Sequence, residues 1–248
     1  MRQRRVLSAL ALAGAGVIGL GACGAITGKS FDDEATVSRK DTAKITSVLL
    51  DNGDGSVELR GGDDTDEVSI RRDVDYRGDK PKGASHKIED GVLVLGGCGD
   101  KCTVRYTVDL PDGLPVRGKT ANGKVSLSRM GAVGVSTTNG AIDLKSITGA
   151  VDVKTSNGRV TGRGLAGEYT RVHTSNGKVD LTATKTQDVR VKTSNGAISL
   201  RVPNETYRVT TKTSNGSKEV GVATAPDATH ALDLSTSNGA ISVKPSGS

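Results

Sequence analysis

Tryptophan is absent from this 248-residue chain, phenylalanine occurs once and tyrosine four times. So few large rings exclude a bulky globular core and leave Val, Ile and Leu to fill a thin one. The second half holds only Tyr169 and Tyr207, too few for stacking nucleic-acid bases or lining a sugar groove. Histidine is limited to His86, His173 and His230, none in a metal-ligand spacing or beside a nucleophile. There is no Gly-x-Ser-x-Gly elbow and no phosphate loop. No stretch beyond the first 23 residues carries a helical period. These gaps point away from common catalytic classes and from any bound cofactor or metal.

What the chain has in abundance is glycine, 33 residues, and one tetrapeptide, Thr-Ser-Asn-Gly. With two near copies it places Asn122, Asn139, Asn157, Asn176, Asn195, Asn215 and Asn238 at spacings of 17, 18, 19, 19, 20 and 23. A period near 20 is the mark of stacked repeats. Thr stands two before each Asn. Four and six before it, and three and five after it, the residues are mostly apolar. Gly118, Thr211, Thr170, Lys218 and Gly162 interrupt those columns. Apolar and polar residues alternate, which is the strand period. Each repeat therefore reads as strand, Asn-Gly turn, strand, second turn, in an all-β chain.

Two folds fit. Asn-Gly between alternating strands is a strong hairpin signal, because type I′ turns need positive φ twice. That reading gives an antiparallel meander or sandwich. The other is a parallel β-solenoid of about seven Asn-Gly rungs behind an irregular N-terminal β cap. Stacked identical residues gain from amide ladders, so recurrence of the same residues favours the solenoid.

The N-terminus reads as an address. Arg2, Arg4 and Arg5 precede an apolar run from Leu7 to Leu20, too short to span a membrane comfortably. The run ends in Leu20-Gly21-Ala22-Cys23, which resembles the lipobox of bacterial lipoproteins. The expectation is a signal peptide over residues 1–22, a lipidated Cys23, and a protein held by its lipid on the extracytoplasmic face of the cell membrane. Residues 23–43 read as a flexible tether, 44–113 as the irregular cap and 114–245 as the repeats. Residues 72–87 read as a long polar loop, and Asp51-Asn52-Gly53 as an echo of the later turns. Cys98 and Cys102, in an exported protein, are expected to form a disulfide. An acidic run from Gly61 to Glu67 reads as a solvated turn, with a loosely held calcium ion as the alternative.

Charge divides the chain. Residues 23–110 carry 13 basic and 18 acidic side chains, and residues 111–248 carry 18 and 10. Such asymmetry gives the repeat half an anionic partner as one reading and a solvated surface as the other. Lys119, Lys154, Lys192 and Lys212, with Ser136, His173 and Ser235, stand three before an Asn; Lys124, Arg159 and Lys178 stand two after one. Stacked, they would form two basic columns flanking the Asn ladder, aimed at anionic cell-envelope polymers, lipid headgroups or surface proteins.

The lipobox, the strand-turn-strand of Ile45–Arg60, the Val108-Asp109-Leu110-Pro111 step and the repeated strand-Asn-Gly-strand units resemble the DUF4097 family of bacterial β-repeat proteins. The resemblance covers about residues 45–243, although many relatives have Ser-Gly-Asp at the turn. It implies a solenoid-like fold and a surface location, brings no catalytic residues, and carries the label of candidate adhesin. A non-catalytic surface lipoprotein is thus one expectation. A carbohydrate-active β-helix enzyme is the alternative, though the acids of the repeats are scattered (Asp143, Asp152, Asp180, Asp188).

Overall fold

The computed structural model describes residues 28–37, 45–62 and 67–246. Among these there is no helix; every element is a strand. The strands form two sheets of eleven. The first seven are β1 (Lys29–Val37), β2 (Ser47–Asp54), β3 (Val57–Gly62), β4 (Val68–Tyr76), β5 (His86–Glu89), β6 (Val92–Gly96) and β7 (Cys102–Pro111). The repeats follow as β8 (Val116–Asn122), β9 (Val125–Ser128), β10 (Val133–Asn139), β11 (Ile142–Ile147), β12 (Val151–Asn157), β13 (Val160–Leu165), β14 (Tyr169–Asn176) and β15 (Val179–Ala183). The last are β16 (Asp188–Lys192), β17 (Ile198–Val202), β18 (Thr206–Lys212), β19 (Lys218–Val220), β20 (Ala223–Thr224), β21 (Ala231–Ser235) and β22 (Ile241–Pro245).

Sheet A runs β1-β4-β7-β3-β9-β11-β13-β15-β17-β22-β19, and sheet B runs β20-β18-β21-β16-β14-β12-β10-β8-β2-β6-β5. Every repeat strand pairs in parallel with its neighbours, and equal positions face each other, as Val133↔Val151 and Ile142↔Val160 do. The fold is a parallel β-solenoid, and the parallel pairing removes the meander. Setting aside β1 and β4 in sheet A and β5 and β20 in sheet B, each set of eleven leaves nine rungs among the described residues.

Parallel strands usually read as continuous apolar runs because both faces are covered. Here each sheet has one face on the core and one in water, so the residues alternate. Val153, Val160, Leu181 and Ile198 are buried in that thin core, together with their counterparts on other rungs.

The Asn-Gly corners are not I′ turns. Positive φ among described non-glycine residues occurs at Asp90, Arg129 and Ser146, never at a repeat Asn. The glycines are needed for close approach instead. A Cβ on Gly158 would lie 1.9 Å from the carbonyl oxygen of Gly140, and one on Gly177 would meet Gly158 equally closely. The recurring Thr has a matching role. Thr155 Oγ1 donates to the Gly140 carbonyl at 3.0 Å, Thr174 to Gly158 at 3.3 Å and Thr236 to Gly196 at 3.0 Å. Each hydroxyl satisfies a carbonyl that the corner turns inward, where water is excluded. Thr155→Val is expected to cost about 1–2 kcal/mol, read from a denaturation midpoint, because it orphans that acceptor without changing volume. Thr155→Ser should recover part of the loss. Equal stability of the Val variant and the parent would contradict this role.

The interruptions of the apolar columns have local causes. Gly162 leaves room that the side chains of Leu165 and Leu181 fill. Buried Thr170 donates to Gln187 Oε1 at 2.8 Å, and Gln187 returns its amide to the Leu165 carbonyl at 3.1 Å. A Cβ on Gly118, at φ 127°, would strike the Leu50 backbone. Thr211 and Lys218 belong to one rung, β18–β19, and that rung is out of sequence order. β16 and β17 pair with β21 and β22, and the β18–β19 rung lies beyond them at the end of the stack. The polar repeat, with Lys218, Glu219 and Val220 all exposed, thus stands where only one full rung covers it, with the two-residue strand β20 as the other neighbour of β18. The apolar C-terminal repeat, with Leu232, Leu234, Ile241 and Val243 buried, is sandwiched.

The N-terminal end repeats the device. The β2–β3 rung sits between β8–β9 and β6–β7, so the rung later in the sequence lies outside the earlier one. Residues 44–113 therefore supply two solenoid rungs as well as a cap, and the division at residue 114 is not a structural one. At the β6–β7 corner the Cys98–Cys102 disulfide (S–S 2.05 Å, Cα–Cα 5.8 Å) takes the place of Asn-Gly. Pairing then turns antiparallel: β5 on β6, β4 on β7 and β1 on β4.

Strand β1 corrects the reading of residues 23–43 as a flexible tether, since nine of them are paired. Its apolar period is weak because it caps an edge, and a charge pair fixes it instead. Arg72 of β4 grips Asp33 with Nε–Oδ1 at 2.5 Å and Nη2–Oδ2 at 2.6 Å, and also donates to Ser85 and the Gly83 carbonyl. Hydrogen bonding from Arg72 holds the Asp33 carboxyl below its usual range. β4 also runs on to Tyr76, which shortens the expected loop over 72–87. The echoed turn shifts by two: Asn52 faces Thr120, and Asp54 faces Asn122. Asn52 is buried, and its amide donates to the Val104 and Gly55 carbonyls.

Candidate polyanion-binding face

Three rows run along the solenoid: a corner ladder and the outward faces of the two sheets. On the corner, side-chain amides join in one direction. Asn215 donates to Asn238 at 2.7 Å, Asn238 to Asn195 at 2.8 Å, Asn195 to Asn176 at 2.8 Å and Asn176 to Asn157 at 2.8 Å. Asn157 donates to Asn139 at 2.9 Å, Asn139 to Asn122 at 2.9 Å, and Asn122 to the Asp54 carboxylate at 2.5 Å. The ladder thus has polarity, and a group that only accepts closes its acceptor end.

On sheet B, the positions three before each Asn face outward in one column. Register places them in the order Asp51, Lys119, Ser136, Lys154, His173, Lys192, Ser235, Lys212. The exchanged rung matters here. In sequence order Lys192 and Lys212 would be adjacent, but Ser235 lies between them. Every lysine is separated from the next by one uncharged or weakly basic residue, so the cations stand two rungs, about 9–10 Å, apart. At that spacing two unit charges repel by about 0.4 kcal/mol in water before screening, half the adjacent-rung value. The Debye length of about 8 Å reduces it further. The column is therefore tolerable unliganded, and the repulsion expected between neighbouring rungs is largely absent. Lys119, Lys154, Lys192 and Lys212 are exposed and form no ion pair among the described residues.

A second outward column, five before each Asn, runs Arg117, Gly134, Asp152, Arg171, Arg190, Asp233, Thr210. Arg190 pairs with Asp233 at 3.2 Å, and the Arg171 guanidinium lies 4.4 Å from the Tyr169 ring centre. These residues, with Glu168 and Asp188, line a groove of about 410 Å³. Residue parity, the same as for the lysine column, was the signal for Arg117, Arg171 and Arg190, which sequence reasoning passed over.

Sheet A differs. One outward column carries Glu58, Ser126, Asp143, Thr161, Asp180, Ser199, Ser242 and Glu219; the next carries Arg60, Ser128, Lys145, Arg163, Thr182, Arg201 and Lys244. Acids and bases lie side by side and pair: Arg60 with Glu58 at 2.9 Å, Arg201 with Asp180 at 3.7 Å and Lys244 with Glu219 at 3.4 Å. The other expected basic column, two after each Asn, lies on this side. Lys124 reaches Asp143 at 2.6 Å and Lys178 reaches Asp180 at 3.7 Å, so both are compensated. Arg159 is exposed and has no such partner among the described residues. The two basic columns are thus unequal. Cys23 lies outside the described residues.

Several solved structures align with this chain over most of their length, each with a TM-score below 0.5. A candidate adhesin from Bacteroides fragilis NCTC 9343 is 15% identical, covers 88% of this chain and 97% of its own, and gives a TM-score of 0.48. A candidate cell adhesion protein from Clostridium sporogenes ATCC 15579 is 11% identical, covers 88% and 100%, and gives 0.39. A candidate adhesin from Parabacteroides merdae ATCC 43184 is 10% identical, covers 87% and 96%, and gives 0.43. No curated protein matches the chain. One family model does match, across residues 101–246, well over half the chain. With its stacked strand-Asn-Gly-strand rungs, this protein belongs to the Toastrack DUF4097 family.

Proposed function

We propose that this is a non-catalytic, adhesin-like module of the bacterial cell envelope that binds a linear polyanion along the outer face of sheet B. One observation carries the reading. The four column lysines form no ion pair among the described residues, although Asp51 faces Lys119 across the strands, whereas most cations on sheet A are paired. A rigid row of spaced, solvated cations suits a repeating anion, and binding gains the attraction without the cost of breaking internal pairs. Lipidation of Cys23 would hold the module at the membrane surface, with β1 the described strand that follows it in sequence. A hydrolytic role would want free, paired carboxylates in a cleft. The sheet A acids are largely engaged by cations, which supports the non-catalytic reading.

The test is binding of the mature, unlipidated chain to purified anionic wall polymer, and separately to phosphatidylglycerol vesicles, at rising salt. Lysines near an anionic surface contribute about 1 kcal/mol each, so the triple variant Lys154→Gln, Lys192→Gln, Lys212→Gln should lose on the order of 100-fold in affinity. Its salt dependence should flatten. The matched triple Lys124→Gln, Lys178→Gln, Arg201→Gln on sheet A should change little. Equal losses from both triples would reduce the effect to net charge and remove the case for a face.

A further inference from the structure

Glycine after asparagine leaves the backbone nitrogen open to attack the preceding side-chain amide, since no Cβ shields it. The chain holds eight Asn-Gly dipeptides, seven of them on the ladder. Six ladder asparagines accept a hydrogen bond on Oδ1 from the next rung. Asn215, at the open end, donates to Asn238 and accepts none among the described residues. The amides of Gly123, Gly177, Gly196 and Gly239 donate to the Asn carbonyl of an adjacent rung, whereas those of Gly140, Gly158 and Gly216 do not, so it is the missing side-chain hydrogen bond that sets Asn215 apart. Both Asn215 and Gly216 are exposed. The eighth dipeptide begins with Asn52, whose side-chain amide is buried between two carbonyls.

We propose that Asn215-Gly216 is a spontaneous modification site of the folded protein, and that the ladder shields the other six corner asparagines from the same reaction. The Gly216 nitrogen gives its proton to a solvent base and attacks Cγ of Asn215. The bond between Cγ and Nδ2 breaks, and ammonia leaves with a proton from solvent. Water then opens the resulting five-membered imide at either carbonyl, giving aspartate or isoaspartate. No oxidant or reductant enters. An internal asparagine must break two ladder hydrogen bonds to reach the attack geometry, whereas Asn215 breaks one.

The product changes the ladder. A carboxylate can only accept, which suits the Asp54 end but not the Asn215 end, where a donor to Asn238 is required. The ladder then ends one rung earlier, and a negative charge arises on the rung that carries Lys212.

Purified full-length protein is held in mildly alkaline buffer and mapped by peptide mass, each conversion adding about one dalton. Asn215 is expected to convert at least about tenfold faster than any other ladder asparagine, a barrier difference of about 1.4 kcal/mol. The same mapping in denaturant controls for neighbouring residues, and there the dipeptides should react at comparable rates. Conversion of Asn157 or Asn176 as fast as Asn215 in the folded protein would overturn the proposal. So would the same Asn215 preference persisting in denaturant.

Discussion

Gly158→Ala is expected to lower stability by at least about 3 kcal/mol, while Gly134→Ala changes it by no more than about 0.5 kcal/mol. Both glycines lie in the same repeat region, and neither has a positive φ. They differ in what a methyl group would meet. At Gly158 it would stand 1.9 Å from the Gly140 carbonyl oxygen, which is backbone fixed by the neighbouring rung. At Gly134 the nearest atom is Arg117 Cγ at 3.8 Å, ordinary contact. Relief at Gly158 means separating two rungs, and that strains the Thr155 hydroxyl bond and the Asn157–Asn139 amide bond at the same corner. Urea denaturation of the two variants checks this. A Gly158→Ala protein within about 1 kcal/mol of the parent would show that the corners yield, contrary to close interior packing.

Ending the chain at Gly239 should have the other large effect. In a solenoid stacked in sequence order, the last strand would be an edge, and its loss would fray one end. Here β22 lies between β17 and β19. Its removal deletes buried Ile241 and Val243, each contributing about 1.5–3 kcal/mol, and uncovers Ile198 and Leu200. It also strips two strands of their ladder partner. The combined cost is comparable to the whole stability of an ordinary domain, about 5–15 kcal/mol. Hydrogen exchange should lose protection across β17, β19 and the β18 rung, with β10 to β13 kept. Unchanged protection of residues 198–202 would contradict the sandwiched placement.

Much of this architecture was legible in the sequence, for a physical reason. Stacking makes equal positions meet equal positions, so the period of Asn and the alternation around it gave sheet faces, rung content and the lysine column. The order of rungs was harder to read. The interior residues of the Asn195 and Asn238 repeats are interchangeable, so parity alone permits either neighbour. Thr211 and Lys218 held the clue, since a rung with polar residues at two of its core positions belongs at an end. The Asn52 register was hidden because a shift of two preserves every face. Close approach at the glycine corners depends on a neighbouring rung, which local turn rules do not include. β1 escaped because a buried arginine grip, not an apolar stripe, secures it.

The exchange of the last two repeats is the claim on which the lysine spacing rests, and a pair of engineered disulfides tests it most directly. In the soluble protein with Cys23→Ser, one variant carries Lys192→Cys with Ser235→Cys, and the other carries Lys192→Cys with Lys212→Cys. Lys192 and Ser235 face each other across β16 and β21. Directly opposed strand positions lie about 5 Å apart, within disulfide range, whereas two rungs put Cα atoms about 9–10 Å apart, beyond the roughly 7 Å limit. Mild oxidation should therefore close the first pair and leave the second as thiols, read by intact mass beside the native Cys98–Cys102 bridge. Closure of the Lys192→Cys/Lys212→Cys pair, with the other left open, would mean that the repeats stack in sequence order.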